Sequence, residues 1–322
     1  MIYTVTLNPV LDRTLTVPAL QLNEVLRVTE VHLDPGGKGF NVSRALKLLG
    51  MESVALGFIG GTVGQQLEHG LASLGIRTDF IKINGETRTN TVIIEAGSGA
   101  YIKANEAGPV IFAQEQQAFI EKVRSLLQPE DIWIMSGSLP PGLPPGFYAT
   151  LIDLARSRRA RAFLDASGEA FLLGCAAVPF LVKPNLEEAG QVIGRPITSE
   201  RDLSEAIEFF LGLGIEIVAL SAGSDGLWLA SHEARVRARP PQITARNPVG
   251  TGDALLAGLT WSLSQGLPFD EVARWGTACG TAAAMASGVN FGERNEVKAV
   301  YEKVIIQPIP NRLIYQSLPH PL

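Results

Sequence analysis

Cysteine is nearly absent from this chain: only Cys175 and Cys279 occur, in neither a Cys-x-x-Cys pattern nor a metal-ligand spacing. That excludes a disulfide scaffold and suits a reducing compartment. Histidine is equally sparse, and His32, His69, His232 and His320 form no pair at helical ligand spacing, which argues against a protein-caged transition metal. There is no long basic run, and Lys+Arg 27 against Asp+Glu 32 leave a formal net charge of -5. A nucleic-acid backbone or an anionic membrane is therefore not the expected partner, and any anion site must be local. The start, Met1-Ile2-Tyr3-Thr4-Val5-Thr6-Leu7, lacks a basic region followed by a long apolar run, and no apolar stretch reaches spanning length. The expected location is the cytoplasm.

What is present is core-forming material: 322 residues, 46% hydrophobic and 18% charged, enough for one large domain or two smaller ones. Short β-rich runs at Tyr3–Leu7, Ser53–Ile59, Asp131–Ser136, Ala162–Asp165, Phe180–Val182 and Ile215–Ser221 alternate with stretches of helical spacing. Those stretches are Gly39–Leu49, Gly64–Leu74, Ala113–Leu127, Pro145–Ser157, Ser199–Leu213 and Asp253–Gln265. The alternation predicts an α/β fold, a mostly parallel sheet covered on both faces with ligands at the strands' carboxyl ends. Arg13–Leu33 and Glu86–Asn105 break the rhythm with period-two alternation and no helix between, predicting a separate, half-solvated small sheet that serves as a lid or pairs with a second subunit. Pro308, Pro310, Pro319 and Pro321 punctuate the end of the chain, which reads as an irregular tail.

The most informative stretch runs from Asn247 through Pro248, Val249, Gly250, Thr251, Gly252 and Asp253 into the apolar Ala254–Gly258. Gly250 and Gly252 can take positive φ and leave backbone N–H groups uncovered, while the helix opening near Asp253 adds the positive end of its dipole. Such a corner holds an anion, and a carboxylate beside it can take a proton from an attacking hydroxyl, which is the chemistry of phosphoryl transfer. A second glycine-rich turn, Asp34-Pro35-Gly36-Gly37-Lys38-Gly39-Phe40-Asn41, feeds another helix. Glycine N–H groups at Gly37 with Lys38 suit a sugar or its phosphate, and Asn41 both donates to and accepts from hydroxyls. It is not the nucleotide P-loop, whose glycines stand further apart and whose Lys precedes Ser or Thr. Asp12, after Asn8-Pro9, is a candidate acceptor for sugar hydroxyls or a solvated turn residue. The small-residue stretch Gly280–Asn290 suits either a flat adenine or a closely packed helix.

These two turns, in this order and about 200 residues apart, resemble the paired signatures of the ribokinase-like carbohydrate kinases, the phosphofructokinase-B family. The resemblance covers nearly the whole chain and implies one ribokinase-like three-layer α/β/α domain over 1–322, with a small β lid from about 13–33 and 86–106. It implies sugar binding by Gly37, Lys38 and Asn41, and an anion hole and catalytic base at Gly250, Thr251, Gly252 and Asp253. In the sugar-phosphate branch an arginine in Thr87-Arg88-Thr89-Asn90 and the second serine of Ser136-Gly137-Ser138-Leu139-Pro140-Pro141-Gly142 approach the substrate phosphate, which carries over to Arg88 and Ser138. Arg27 is a weaker candidate of the same kind. Nucleotide contacts carry over to Lys183, Asn185, Ser221, Gly223 and Gly226. The family's Asn-x-x-Glu pattern falls on Asn185 and Glu188, with Asp165 joining partly through water, to hold Mg2+.

The implied activity is ATP-dependent phosphorylation of a ketohexose phosphate, with ATP and Mg2+ as cofactors and a homodimer formed through the lid. Fructose 1-phosphate is the first expectation, with fructose 6-phosphate and tagatose 6-phosphate as rivals and a non-catalytic sugar-phosphate sensor as the alternative of a different class. The chain departs from the branch at Ala104-Asn105-Glu106-Ala107, where an aromatic residue usually stands.

Overall fold

In the computed structural model, residues 1–246, 249–286 and 291–309 are described, and the chain divides into two compact units, Met1–Ala160 and Arg161–Leu322. The first unit opens with β1 (Ile2–Thr6), a β-rich run buried on both faces as a central parallel strand is. β2 (Val10–Val17), β3 (Glu30–Gly36), α1 (Lys38–Leu48), β4 (Val54–Ile59) and α2 (Gly61–Ser73) follow. After the two-residue strands β5 (Arg77–Thr78) and β6 (Ile81–Lys82) come β7 (Arg88–Glu95), β8 (Tyr101–Asn105), α3 (Ala113–Leu126), β9 (Ile132–Ser136) and α4 (Phe147–Ser157).

Within this unit the strand order is β9-β1-β4-β5, with every pairing parallel. The segments read as a lid form their own four-stranded sheet, in the order β3-β2-β7-β8. Its outer pairs are antiparallel and the central β2·β7 pair is parallel. Helix α1 is fixed to the parallel sheet by Phe40, which is fully buried in a cluster with Ala55, Ile59, Leu67, Leu71, Ile76 and Phe80. Its ring meets Phe80 edge-on at 5.5 Å, and burying such a side chain contributes about 1.5–3 kcal/mol. A buried hydroxyl chain, Thr4 to Ser43 at 2.7 Å and Ser53 to Ser43 at 2.9 Å, ties the same helix to the sheet. The helix end carrying Lys38 and Asn41 is thereby held in register with β1.

The second unit contains β10 (Arg161–Asp165), α5 (Gly168–Ala176), β11 (Leu181–Val182), α6 (Leu186–Ile193), α7 (Glu200–Gly212), β12 (Ile217–Ser221), β13 (Leu227–Ala230), β14 (Arg235–Arg239), α8 (Thr251–Ser264), α9 (Phe269–Met285), α10 (Arg294–Tyr301) and β15 (Ile305–Pro308). Strands β10, β11 and β12 pair in parallel, and β13, β14 and β15 continue antiparallel. Pro308 is thus the last residue of an edge strand rather than part of an irregular tail, a position Pro tolerates because no ladder donor is needed there. Pro310, Pro319 and Pro321 lie outside the described residues.

Helices α8 and α9 pack at glycines: a Cβ on Gly258 would sit 2.7 Å from the Trp275 carbonyl oxygen, and one on Gly276 2.6 Å from Leu259 Cδ2. One on Gly280 would lie 3.1 Å from the carbonyl oxygen of Thr251. Gly280–Met285 therefore belong to a packed helix, the second of the two readings, while residues 287–290 lie outside the described residues.

Candidate active site

In the first unit the turn from β3 into α1 is shaped by crowding. A Cβ on Gly36 would collide with the Asp12 carboxylate, and one on Gly37 would sit 2.7 Å from Thr6 Cγ2. Gly37 also has φ 136 and caps α1, a backbone that L side chains rarely adopt. The helix begins at Lys38, and Asn41, one turn in, is buried.

Asp12 stands on β2 in the small sheet rather than in the turn after β1, opposite Asp34 of β3 and Asn90 of β7. Asn90 Nδ2 donates to Asp12 Oδ1 at 3.0 Å. Burial raises the Asp12 pKa, against the opposing Asn90 hydrogen bond and the Lys103 and Arg88 charges. Burial likewise lowers the pKa of Arg88, with Asp12 and Glu106 acting the other way. The half-buried Arg88 guanidinium donates through Nε (3.3 Å) and Nη2 (3.1 Å) to the Asn8 carbonyl, and through Nη1 (3.0 Å) to the Glu106 carbonyl.

Ser138 follows Gly137, whose carbonyl accepts from the buried Tyr148 hydroxyl at 3.1 Å, so the turn after β9 is pinned from below. Asn8 Nδ2 approaches Ser138 Oγ at 3.5 Å. Asp12, Gly37, Lys38, Asn41, Arg88 and Ser138 therefore all lie on the first unit, at or beside the ends of its strands. Arg27 does not join them: it lies exposed in the irregular 18–29 stretch between β2 and β3, not on a lid strand. A cavity of about 440 Å3 lined by Gly85, Glu86, Arg88, Glu106, Pro109 and Phe112, among others, shares Arg88 with this group but none of Asp12, Lys38, Asn41 or Ser138.

Asn8 and Asn90 were not singled out from the sequence. Asn90 had a usable signal, since it stands two residues after Arg88 on a strand and so shares its face. Asn8 looked like the start of a Pro turn.

In the second unit Lys183, just after β11, pairs with Asp165 at the end of β10: Nζ lies 3.3 Å from Oδ2, with the side chains 5% and 1% exposed. Such a pair is costly to desolvate, and removing one partner would strand the other charge. Asn185 is the N-cap of α6, its Oδ1 accepting from the Glu188 N–H at 2.8 Å while Glu188 Oε2 accepts from the Asn185 N–H at 2.9 Å. This reciprocal capping box fixes both side chains. Ser221, at the end of β12, bridges to Asn185 and donates its N–H to the Pro184 carbonyl at 2.9 Å.

Gly223 (φ 56) opens into space. Gly226 (φ 94) is a glycine because a Cβ would collide with the Ala238 carbonyl oxygen. Gly250 is the left-handed N-cap of α8, at φ 79. Gly252 does not take the positive φ expected of it; it lies in the first turn of α8, and a Cβ there would sit 3.2 Å from Lys183 Nζ. The bare glycine lets a cation approach the positive end of a helix, an arrangement that favours an anion in front of both. Asp253 is buried in that same first turn. Asn247 and Pro248, which open the motif, lie outside the described residues.

The side chains expected to meet a divalent cation are Glu188, Asn185 and Asp165. Two carboxylates and an amide oxygen are hard ligands of the type Mg2+ takes alongside water and phosphate oxygens, although Asp165 is matched by Lys183 and Asn185 Oδ1 by a backbone N–H. Among the described residues no group of three or more His, Cys, Asp or Glu side chains is arranged to cage a metal. No helix among them is long and apolar enough to cross a membrane.

A parallel α/β fold with a small accessory sheet, glycine turns at two helix N-termini and a buried aspartate at one of them defines a sugar kinase of the ribokinase-like class. The profile described as pfkB family carbohydrate kinase matches residues 5–295, and the chain belongs to that family. It is 37% identical to a 1-phosphofructokinase of Bacillus subtilis (strain 168) over 293 residues, covering 91% of this chain and 95% of the relative. It is 33% identical to a 1-phosphofructokinase of Vibrio cholerae serotype O1 over 310 residues, covering 96% and 97%. The crystal structure of phosphofructokinase-2 from Escherichia coli in complex with substrates and products matches with a TM-score of 0.88 at 29% identity, over 94% of this chain and 98% of that one. The fold is the three-layer α/β arrangement with a mostly parallel central sheet and a smaller sheet that the sequence implied.

Proposed function

We propose that the chain is an ATP-dependent kinase of a phosphorylated ketohexose, converting fructose 1-phosphate to fructose 1,6-bisphosphate. The observation that carries the phosphoryl-transfer part is the buried Asp253 in the first turn of α8, beside Gly252 and the Lys183 ammonium. Asp253 accepts the proton of the sugar's primary hydroxyl as its oxygen attacks the γ-phosphorus. The bond from that phosphorus to the bridging oxygen breaks, and ADP leaves with the electron pair. Lys183 and the N-terminal turn of α8 stabilise the charge on the phosphoryl oxygens, without reorganising at the moment of reaction. Mg2+, held by Glu188 with Asn185 and with Asp165 through water, would neutralise nucleotide phosphate charge when bound. Ser221, Gly223 and Gly226 line the turns assigned to the nucleotide.

On the acceptor side, Asp12 and Asn41 suit sugar hydroxyls, Gly37 and Lys38 an anionic or hydroxylated sugar, and Arg88 and Ser138 the phosphate the substrate already carries. The choice of fructose 1-phosphate is supported by the two relatives named 1-phosphofructokinase. The small sheet acts as a lid that excludes water, a competing phosphoryl acceptor. Its exposed Val31, Leu33, Tyr101 and Ile102 favour a homodimer through the lid. Free, buried cysteines suit the cytoplasm, where ATP is available.

Phosphorus NMR of a reaction with Mg-ATP and fructose 1-phosphate tests the reading. One equivalent of ketohexose bisphosphate should appear for each ADP. ADP with inorganic phosphate and no new phosphoester would show that water, not the sugar, is the acceptor.

A further inference from the structure

Arg88 is held in a closed ring whose remaining member is Asn8. The Asn8 carbonyl accepts two of the guanidinium N–H groups and the Glu106 carbonyl accepts a third. An arginine has five N–H donors, so two are left to face a ligand. Asn8 then closes the ring with its side chain, donating Nδ2 to the Ala107 carbonyl at 3.0 Å, one residue from the carbonyl that holds Arg88. The Glu106 carboxylate tightens the same segment by accepting from the Thr89 N–H at 2.9 Å. The amide also reaches Ser138 Oγ at 3.5 Å.

One asparagine in the bend after β1 thus meets the start of β7, the segment after β8 and the turn after β9. Asn8 is 6% exposed, and its Oδ1 is buried with no hydrogen-bond partner. That oxygen packs against Gly108 so closely that a Cβ there would collide with it. Gly108 holds φ 100, so the chain conformation after β8 is fitted to this amide. A residue kept only to fill space would not carry an unpaired buried acceptor. What the amide supplies is the Nδ2 donor that ties both carbonyls holding Arg88 into one unit.

We infer that Asn8 is a positioning residue for recognition of the substrate's phosphomonoester, holding Arg88 through its carbonyl and Ser138 through its amide, with the amide anchored on the Ala107 carbonyl. This rests on the assignment of Arg88 and Ser138 to the sugar's phosphate. Such a role sets the preference for a phosphorylated over an unphosphorylated ketose, because only the former uses the pair. It leaves ATP binding and the chemistry at Asp253 alone.

The test is steady-state kinetics of Asn8→Ala and Asn8→Asp, with Arg88→Ala in parallel, varying fructose 1-phosphate, fructose and ATP in turn. Asn8→Asp keeps the volume and loses the donor, so it serves if the alanine variant fails to fold. Both Asn8 variants should raise KM for fructose 1-phosphate about tenfold, keep KM for ATP within about twofold, and narrow the kcat/KM preference for fructose 1-phosphate over fructose. If Arg88→Ala raises KM for fructose 1-phosphate and neither folded Asn8 variant does, Asn8 has no positioning role and the phosphate assignment stands. If both KM values rise together with a lowered Tm, Asn8 serves the fold alone and the inference is overturned. An unchanged KM in Arg88→Ala removes the phosphate assignment and this inference with it.

Discussion

The two glycine-rich helix entrances look alike in sequence and differ in what their glycines are for. At the entrance to α1, neighbours fill the space a side chain would need: Asp12 beside Gly36, Thr6 beside Gly37, and both Thr6 and the Val5 backbone beside Gly39. At the entrance to α8, the group 3.2 Å from a Cβ on Gly252 is the end of a lysine. The first turn is thus glycine-rich because of packing, which fixes the position of Lys38 and Asn41. At the second, Gly250 supplies the left-handed N-cap of α8 and Gly252 leaves room for the Lys183 ammonium to come close to the helix N-terminus. The α1 entrance carries its cation within its own motif, whereas α8 takes Lys183 from the end of β11, oriented by Asp165. Substitutions at the two should therefore separate stability from turnover.

Asp253→Asn at the α8 entrance should show the largest effect: kcat lower by about 10²–10⁴ with an unfolding midpoint close to wild type. Near-normal turnover would remove Asp253 as the base. Gly252→Ala should lower kcat by about tenfold to a hundredfold by displacing Lys183. Because alanine is favoured over glycine within helices by about 1 kcal/mol, its unfolding midpoint should hold or rise. A fall in stability with unchanged turnover would erase the distinction between the two turns.

Gly39→Ala should do the reverse. A Cβ 2.6 Å from Thr6 Oγ1 and 3.0 Å from the Val5 carbonyl oxygen cannot be relieved by moving a flexible side chain alone, so we expect a loss of about 1–3 kcal/mol in denaturant unfolding. The smallest effect is expected at Asp12, whose pKa is raised by burial. The folded protein binds that proton more tightly than the unfolded chain, so stability falls as pH rises from the unfolded value through the raised folded one, and the penalty persists above it. Asp12→Asn should therefore be slightly more stable than wild type at pH 7, with the gain vanishing below about pH 4, while its KM for the sugar rises. A gain that grew on acidification would contradict the sign.

The sequence exposed the elements whose signals are local. Buried apolar runs located β1, β4, β9, β10 and β12 to within two residues, and period-two alternation separated the small sheet from the parallel one. It did not expose β14, whose Arg235-Val236-Arg237-Ala238-Arg239 reads as charged surface yet pairs on both sides, or β15, masked by a terminal proline. Helix α9 was legible only in part, its Gly280–Met285 end as one of two readings, because its glycines and alanines serve close approach to α8 rather than an apolar stripe. In the site, glycines and charged residues next to turns were legible because turn chemistry is local. The Asn8 ring was not, since its partners lie 80, 99 and 130 positions away. The Lys183–Gly252 approach depends on two segments meeting only in the fold, and Arg27 shows the converse error, in which an alternating pattern was extended past the end of its strand.

One experiment bears on the whole account: ADP release coupled to a spectrophotometric readout, with Mg-ATP and fructose 1-phosphate, fructose 6-phosphate, tagatose 6-phosphate or fructose, compared by kcat/KM. A clear preference for fructose 1-phosphate is the predicted result. Equal or better turnover of unphosphorylated fructose, or no turnover of any of the four, would contradict a kinase built around a phosphate-gripping Arg88.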